Sequence, residues 1–518
     1  MERTTPAINP WLVAIAVMAG TFMEVLDTTI VNVSLPHIAG NLSASNEEAT
    51  WVLTSYLVAN AVILPMTGWL ANHFGRKRLL MTSVIGFTAS SFLCGLAPSL
   101  GFLIVFRVIQ GLTGGGLQPL SQAILLESFP PQKRGMAMAF WGLGIVVAPM
   151  LGPMVGGWLT DNASWRWVFY VNVPIGLFAI TMTEIFIFDP PYIKRREGGI
   201  DLWGMGFLVL GIGALQIMLD KGQQDDWFSS RLIVTLFVLA VGGIVAMIWR
   251  ELTAEHPIVD LRVFKNRTWA TGTFLMTVLG FVLFGSTVLL PLVMQTLLGY
   301  TAFQAGLTNV PRGIASFIMM PAIGFLMAHV EPRKILAVGL VVVSTSLFLV
   351  SRLSLDAGPR DFILPLVLQG AAMAMIFIPL TTVTNDPIPK EQIGNATSLF
   401  NLMRNIGGSF GIAIVTTILA RNTQTHVAQL GGHVDAFDPA TAQRLAAAKS
   451  ALMARGADAW TAANGALAAV WGDVQRQAAF LSYRDAFLFL SGLFIAMVVL
   501  IPLMRKPTHQ REGGGMAH

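Results

Sequence analysis

The chain has 518 residues, 54% of them hydrophobic and 12% charged, with 33 Lys and Arg against 28 Asp and Glu. A soluble globular protein carries roughly a quarter charged residues, so this composition excludes an ordinary cytosolic enzyme. The small positive balance lies mostly in short loops between apolar runs of about twenty residues, which marks a polytopic membrane protein and reports orientation rather than nucleic-acid binding.

Breaks at charge clusters and Gly/Pro-rich turns predict fourteen spans, near 11–33, 50–71, 79–97, 102–126, 136–159, 165–188, 201–220, 231–250, 268–291, 303–328, 334–352, 361–385, 396–420 and 483–503. The first run passes through Glu24 and Asp27 without a small-residue cleavage site, so it reads as a retained helix and not a signal peptide. With the N-terminus in the cytoplasm, inward loops collect Arg76, Lys77, Arg78, Lys133, Arg134, Lys194, Arg195, Arg196, Arg262, Lys265, Arg267, Arg333, Lys334 and Lys390, and the tail adds Arg505 and Lys506. Outward loops hold only Arg166, Lys221, Arg231, Arg352 and Arg360, so the positive-inside rule puts both termini in the cytoplasm. One outward loop, 421–482, is long, Ala-rich and amphipathic. It predicts one or two helices outside the membrane, serving either as a solvated connector or as a docking surface. Cys94 lies inside an apolar run and has no internal disulfide partner.

The chain also repeats itself. Gly68-Trp-Leu-Ala-Asn-His73 with Arg76 and Lys77 lines up with Gly324-Phe-Leu-Met-Ala-His329 followed by Arg333 and Lys334; Gln110-Gly111 recurs as Gln369-Gly370, Gly135 as Gly394, and Leu35-Pro36 as Leu290-Pro291, all at offsets of 255 to 259. The reading is an all-α membrane protein of two six-helix bundles, 1–190 and 263–518, with two inserted spans in 191–262. Paired six-helix halves are a transporter architecture, in which a midplane site between the halves is exposed alternately to either side.

Acids in a hydrocarbon layer cost about 2.5–3.5 kcal/mol each on insertion scales, so Glu24 and Asp27 read as functional. Three residues apart, they share a helix face and could load and release a proton; the alternative is that Asp27 caps a local break with Thr28, Thr29 and Asn32. The second half has no acid around Val282 and Phe284, so coupling is expected to be asymmetric. Arg107, one turn before Gln110, needs a carboxylate or several carbonyls, and Glu24 and Asp27 are available; a purely structural Arg107 is the other reading. Arg312 and Arg404 stand close enough to span ends to snorkel, leaving either a substrate or a packing role, as for Asn32 and Gln110. Gly142, Gly144, Gly152, Gly156 and Gly157 let two helices approach closely, and Pro149 and Pro153 permit a hinge. Gly68, Gly75, Arg76 and Lys77, recurring in part in the second half, suggest a gate rather than mere positive-inside anchors. Gly407-Gly-Ser-Phe-Gly411 spells a nucleophile elbow, but inside an apolar helix it is a small-residue packing face. Phosphate-cradling and zinc-protease motifs do not occur, so no cofactor is expected and the energy source is an ion gradient or the substrate's own.

Together these residues resemble the major facilitator superfamily, and within it the 14-helix drug:proton antiporters, over nearly the whole chain. Leu26-Asp-Thr-Thr-Ile-Val-Asn-Val-Ser-Leu-Pro36 is similar to that group's first-helix signature, and Gly68 to Arg78 to the superfamily's loop motif after helix 2. Phe106-Arg-Val-Ile-Gln-Gly111 resembles the helix-4 motif, Gly152-Pro-Met-Val-Gly-Gly157 the antiporter motif of helix 5, and Trp165-Arg-Trp-Val-Phe-Tyr-Val-Asn-Val-Pro174 a 14-helix-group sequence. The resemblance implies proton coupling through Arg107 and export rather than import. Asn72 departs from the loop motif, which usually has an acid there, so Arg76 and Lys77 must act through other partners. The long loop resembles that of the EmrB-type subunits of Gram-negative inner membranes, implying a periplasmic adaptor and a TolC-type outer-membrane channel. A stand-alone exporter, a dedicated exporter of one metabolite, and a transporter-like sensor or enzyme are the rival readings.

Overall fold

The computed structural model describes residues 9–189, 201–254, 257–435 and 438–504. Lys194, Arg195, Arg196, Arg505, Lys506 and residues 1–8 lie outside them. Among the described residues, fourteen helices are long and apolar enough to cross a membrane: α1 Pro10–Asn41, α2 Glu47–Phe74, α3 Arg76–Leu96, α4 Leu100–Ser128, α5 Arg134–Asn162, α6 Trp167–Phe186, α7 Leu202–Lys221, α8 Arg231–Thr253, α9 Arg267–Thr296, α10 Phe303–Leu326, α11 Pro332–Ser351, α12 Pro359–Asn385, α13 Lys390–Gly431 and α14 Ala459–Leu503. Among the described residues there is no strand. Each expected span has its helix. With an even number of crossings, the described chain begins and ends on one face, here the terminal face, and the opposite one is the loop face. Arg76, Lys77, Arg134, Arg267, Arg333 and Lys390 all sit where helices start on the terminal face, whereas the loop face has Arg166, Lys221, Arg231, Arg352 and Arg360.

The long loop differs from a connector carrying separate helices. α13 and α14 run on beyond the length of a span, and one free helix, Pro439–Ala454, packs on α14. The physical reason is that no Gly or Pro interrupts α13 between Gly411 and Gly431, so the helix runs on past the membrane length. Asp438 and Asp458 then restart the chain as N-caps, accepting from the Thr441 amide and from the Trp460 and Thr461 amides.

Duplication is visible in how the two halves meet. α1 packs on α5 and α9 on α13, while between the halves α5 packs on α10 and α13 on α2 and α4. On the terminal face, Gly68 of α2 sits on Gly394 and Asn395 of α13, with a side chain at Gly68 placed only 2.6 Å from the Asn395 nitrogen; its repeat counterpart Gly324 of α10 sits likewise on Gly135 and Met136 of α5. Inside each half, Gly111 presses on the Tyr56 carbonyl and its counterpart Gly370 on that of Arg312. Repeated glycines therefore mark repeated helix crossings. Arg134 and Asp386, 3.9 Å apart, add an ion pair across the same closed face.

The inserted pair is not peripheral on both sides. α8 turns Phe237, Val238, Val241, Val245 and Trp249 outward, as lipid-facing side chains should be. α7, in contrast, lies against α2 through Val58 and Val62 beside Gly213, and against α13 through Met218, Leu219 and Ala413. Asp220 takes a hydrogen bond from Thr54, and Lys221 donates to Thr50 at 2.5 Å. On its other side the Ser409 hydroxyl donates to Gln216 at 2.9 Å, and Trp227 Nε1 lies 3.0 Å from Thr417 Oγ1. The insert thus touches both halves toward the loop face, where α2 and α13 pack less closely on each other.

Because Gly68 has no room for a side chain, Gly68→Leu should open the terminal face without unfolding the helices. In an Arg134→Cys, Asp386→Cys, Cys94→Ser background, bismaleimide cross-linking across that face is expected to fall at least about twofold on adding Gly68→Leu, with helix content by circular dichroism unchanged.

Candidate functional site

α1 is helical from Pro10 to Asn41 and continues unbroken past Asp27, so Asp27 does not cap a break. Its carboxylate is fully buried and accepts three hydrogen bonds: from Arg107 Nη1 of α4 at 2.5 Å, from Gln110 Nε2 one turn on at 3.0 Å, and from Asn172 Nδ2 of α6 at 2.8 Å. Arg107, also fully buried, donates Nε to the Val52 carbonyl of α2 at 3.0 Å and Nη1 to Gln110 Oε1 at 2.7 Å. Its guanidinium carbon lies 4.1 Å from the Tyr56 ring centre, so the aromatic face covers the planar cation. Asn172 is held in turn by Ser91, 3.0 Å away. Every partner of Asp27 is a donor, which is the arrangement an ionised carboxylate requires.

Glu24, one turn away, does not share that cluster. Asn60 Nδ2 donates to it at 3.0 Å, the Tyr56 hydroxyl at 3.3 Å and Gln118 Nε2 at 2.5 Å. Tyr56 belongs to both clusters, with its ring under Arg107 and its hydroxyl on Glu24. Gln118 carries the second cluster across to the other half, because Arg404 of α13 donates to its Oε1. Below it, Asn401 donates to Gln122 at 2.7 Å and Thr397 to the Pro119 carbonyl at 3.2 Å, so α4 and α13 are zipped together by polar groups. A continuous polar path therefore runs from Asp27 to Arg404 in a surround of buried apolar side chains.

Of the two candidate acids, only Asp27 pairs with Arg107. Arg404 is buried at the interface between halves and does not snorkel. Arg312, half-buried in the middle of α10 at the repeat position of Tyr56, makes no side-chain hydrogen bond or ion pair among the described residues. Asn32 is exposed and donates only to the Thr28 carbonyl at 3.3 Å, away from the cluster. Gly152 and Gly156 press α5 onto Thr29 and Ile30 of α1, directly beside Asp27, whereas Gly157 has Val33 no nearer than 3.9 Å. Pro149 and Pro153 sit within the unbroken α5. In the second half Gly407 and Gly411 press α13 on the α9 backbone at Thr277 and Phe281, a packing face as expected. Neutral Tyr56, Asn60, Gln118 and Asn172 escaped the sequence reading. Their only signal was being polar inside apolar runs, with Tyr56 and Asn60 four apart on one face.

The loop motif after α2 finds partners elsewhere. Gly75 has a positive φ of 94°, open to glycine, and places the Lys77 amide 2.8 Å from the Asp189 carboxylate beyond α6. Arg76 pairs with buried Glu127 of α4, and Lys77 Nζ lies 3.3 Å from Glu184. Asp189 and Glu127 thus supply negative charge that Asn72 does not. Leu279, Val282 and Leu366 occupy the second-half positions of Glu24, Asp27 and Arg107, all buried and apolar. Among the described residues no cluster of His, Cys, Asp and Glu could hold a metal ion.

Two packed six-helix halves, with a buried carboxylate–arginine pair in the first of them, define a membrane transporter. The chain belongs to the Major Facilitator Superfamily, whose family model matches residues 17–412. It is 39% identical over 526 residues to the Multidrug export protein EmrB of Escherichia coli K12, covering 100% of each, and 38% identical to the Fatty acid resistance protein FarB of Neisseria gonorrhoeae, covering 97% of each. Among solved structures, the proton:xylose symporter XylE superposes with a TM-score of 0.57 at 15% identity, covering 91% of this chain and 94% of that one, a likeness of fold.

Breaking a buried ion pair from one side leaves a charge without compensation, which costs about 3–5 kcal/mol. Asp27→Asn is accordingly expected to lower the melting temperature in detergent more than the Asp27→Asn, Arg107→Met pair does. Equal melting of single and double variants would contradict a paired Arg107.

Proposed function

We propose that the protein is a proton-coupled antiporter that exports hydrophobic or aromatic toxic compounds across a bacterial inner membrane, with the terminal face in the cytoplasm. The observation that carries this is the Asp27–Arg107 pair: a carboxylate with only donors around it, in a span, in one half alone. Protonating Asp27 removes the charge that holds Arg107, and Arg107 ties α1 to α4 and to the α2 backbone. Proton loading at Asp27 thereby loosens α1, α2 and α4 from one another, of which α2 and α4 pack on α13 of the other half, and proton release resets them. Export is the direction suggested by the relatives named for multidrug export and fatty acid resistance, and the terminal-face cations support its cytoplasmic placement. Met and Phe side chains between the halves, such as Met320 and Phe377 facing Gly142, suit varied apolar substrates.

The extended α13–α14 hairpin supports a tripartite assembly. Trp460, Leu467 and Trp471 are exposed on it, beyond the length a membrane needs, and such exposed apolar side chains suit docking to a periplasmic adaptor that leads to a TolC-type channel.

In proteoliposomes, a panel of aromatic weak acids and lipophilic cations should include compounds that drive proton release on the side they leave. Asp27→Asn is expected to cut that substrate-linked flux by about tenfold or more. Flux unchanged by Asp27→Asn would sink the assignment.

A further inference from the structure

Among the described residues, the hydrogen bonds that link Glu24 to the second half of the molecule pass through one neutral side chain, and the orientation of that side chain is dictated. An arginine can only donate, so Gln118 must present its carbonyl oxygen to Arg404. Its amide nitrogen therefore faces Glu24 Oε2, at 2.5 Å, and that oxygen must be an acceptor. The other oxygen takes Asn60 and the Tyr56 hydroxyl, both as donors. The arrangement is thus complete for ionised Glu24 and has no place for a proton on Oε2, where two hydrogens would point at each other.

We propose that Gln118 is a positioning residue that converts the protonation of Glu24 into separation of the halves, by rotating its amide. A proton arriving on Oε2 makes that oxygen a donor. The Gln118 amide turns its oxygen toward the new hydroxyl and its nitrogen toward Arg404, where donor meets donor and the hydrogen bond is lost. Arg404 then retains Asn405 Oδ1 at 3.5 Å, on its own helix, and no link to α4 through this side chain. Loss of the proton reverses the rotation. The charged and titratable groups around Glu24 are Tyr56 of α2, Arg404 of α13, and Asp27 and Arg107 across Tyr56, and none of them offers Oε2 an alternative acceptor in the observed hydrogen bonds. Leu279 stands at the second-half position of Glu24, so the device exists once, at the α4–α13 contact and not at the pseudo-equivalent α12–α5 contact. This deepens the antiport reading and rests on it: Asp27 governs helices within the first half, and Glu24 the grip of that half on the other.

The test is the distance between the halves on the loop face as a function of pH, by electron–electron spin resonance on labels at Asn41→Cys and Ser354→Cys in a Cys94→Ser background. Asn41 is the exposed end of α1 and Ser354 is exposed in the connection after α11, in opposite halves. The parent should move between two populations as pH changes. Gln118→Met, which keeps length and loses the amide, should flatten that pH profile, and Glu24→Gln should flatten it equally, each with a gel-filtration profile and melting temperature showing a folded protein. Arg404→Met supplies the same result from the other end of the relay should Gln118→Met fail to fold. A pH profile in Gln118→Met or Arg404→Met that superimposes on the parent, while Glu24→Gln is flat, overturns the relay. Substrate-linked proton flux in the parent is scored separately, and its absence overturns the antiport reading rather than the relay's geometry.

Discussion

A buried carboxylate and a buried guanidinium must neutralise each other wherever water cannot, and in this protein that requirement falls on Asp27 and Arg107. Arg107 joins α4 to α1 through Asp27, with Gln110 beside it, and to α2 through the Val52 carbonyl, while Asn172 brings α6 to the same point. Four of the six helices of the first half are therefore oriented by one charge pair. Continuum arguments give such a pair little net stability against an apolar replacement. Leu279, Val282 and Leu366 make the apolar replacement in the second half, which folds without it. What the pair adds is sensitivity: its geometry is right for one protonation state only.

The two halves use the same crossings for different ends. Gly68 on Gly394 and Gly324 on Gly135 close the terminal face symmetrically, and neither contact contains a titratable group. Asymmetry enters one layer further in, where Gln118 and Gln122 of α4 meet Arg404 and Asn401 of α13. The inserted α7 adds a second asymmetry, filling the gap between α2 and α13 toward the loop face but nothing between α5 and α10. A rocking motion of the halves must part α7 from one of them, breaking either Ser409 from Gln216 or Thr54 and Thr50 from Asp220 and Lys221.

Much of the fold was legible because apolar length and positive charge are strong one-dimensional signals, from which all fourteen spans follow, while matched Gly, Gln and Pro positions carried the repeat and small-residue spacing the packing role of Gly407 and Gly411. The long loop was harder, since Ala-rich sequence says helix without saying whether that helix is new or a continuation of α13. At the site, charge inside a span exposed Glu24, Asp27 and Arg107 at once. The assignment of partners was not legible, because two acids three residues apart look equivalent until Tyr56 is seen standing between them. Gln118 and Asn172 carry no charge, so nothing in a single sequence separates them from other polar residues in apolar runs. Arg404 shows the same limit, as a position near the edge of an expected span proved to be buried against Gln118 of the other half.

The central claim is that Asp27 holds its proton and its arginine alternately, and that substrate decides between them. It is tested most directly by adding tetraphenylphosphonium, a lipophilic cation with no proton of its own, and salicylate, an aromatic weak acid, to the detergent-solubilised protein in weakly buffered solution with a pH indicator. The account predicts proton release on binding of at least one probe class that is lost in Asp27→Asn. Binding of a probe, seen by calorimetry, with no proton released at any pH at which the protein stays folded, would contradict it.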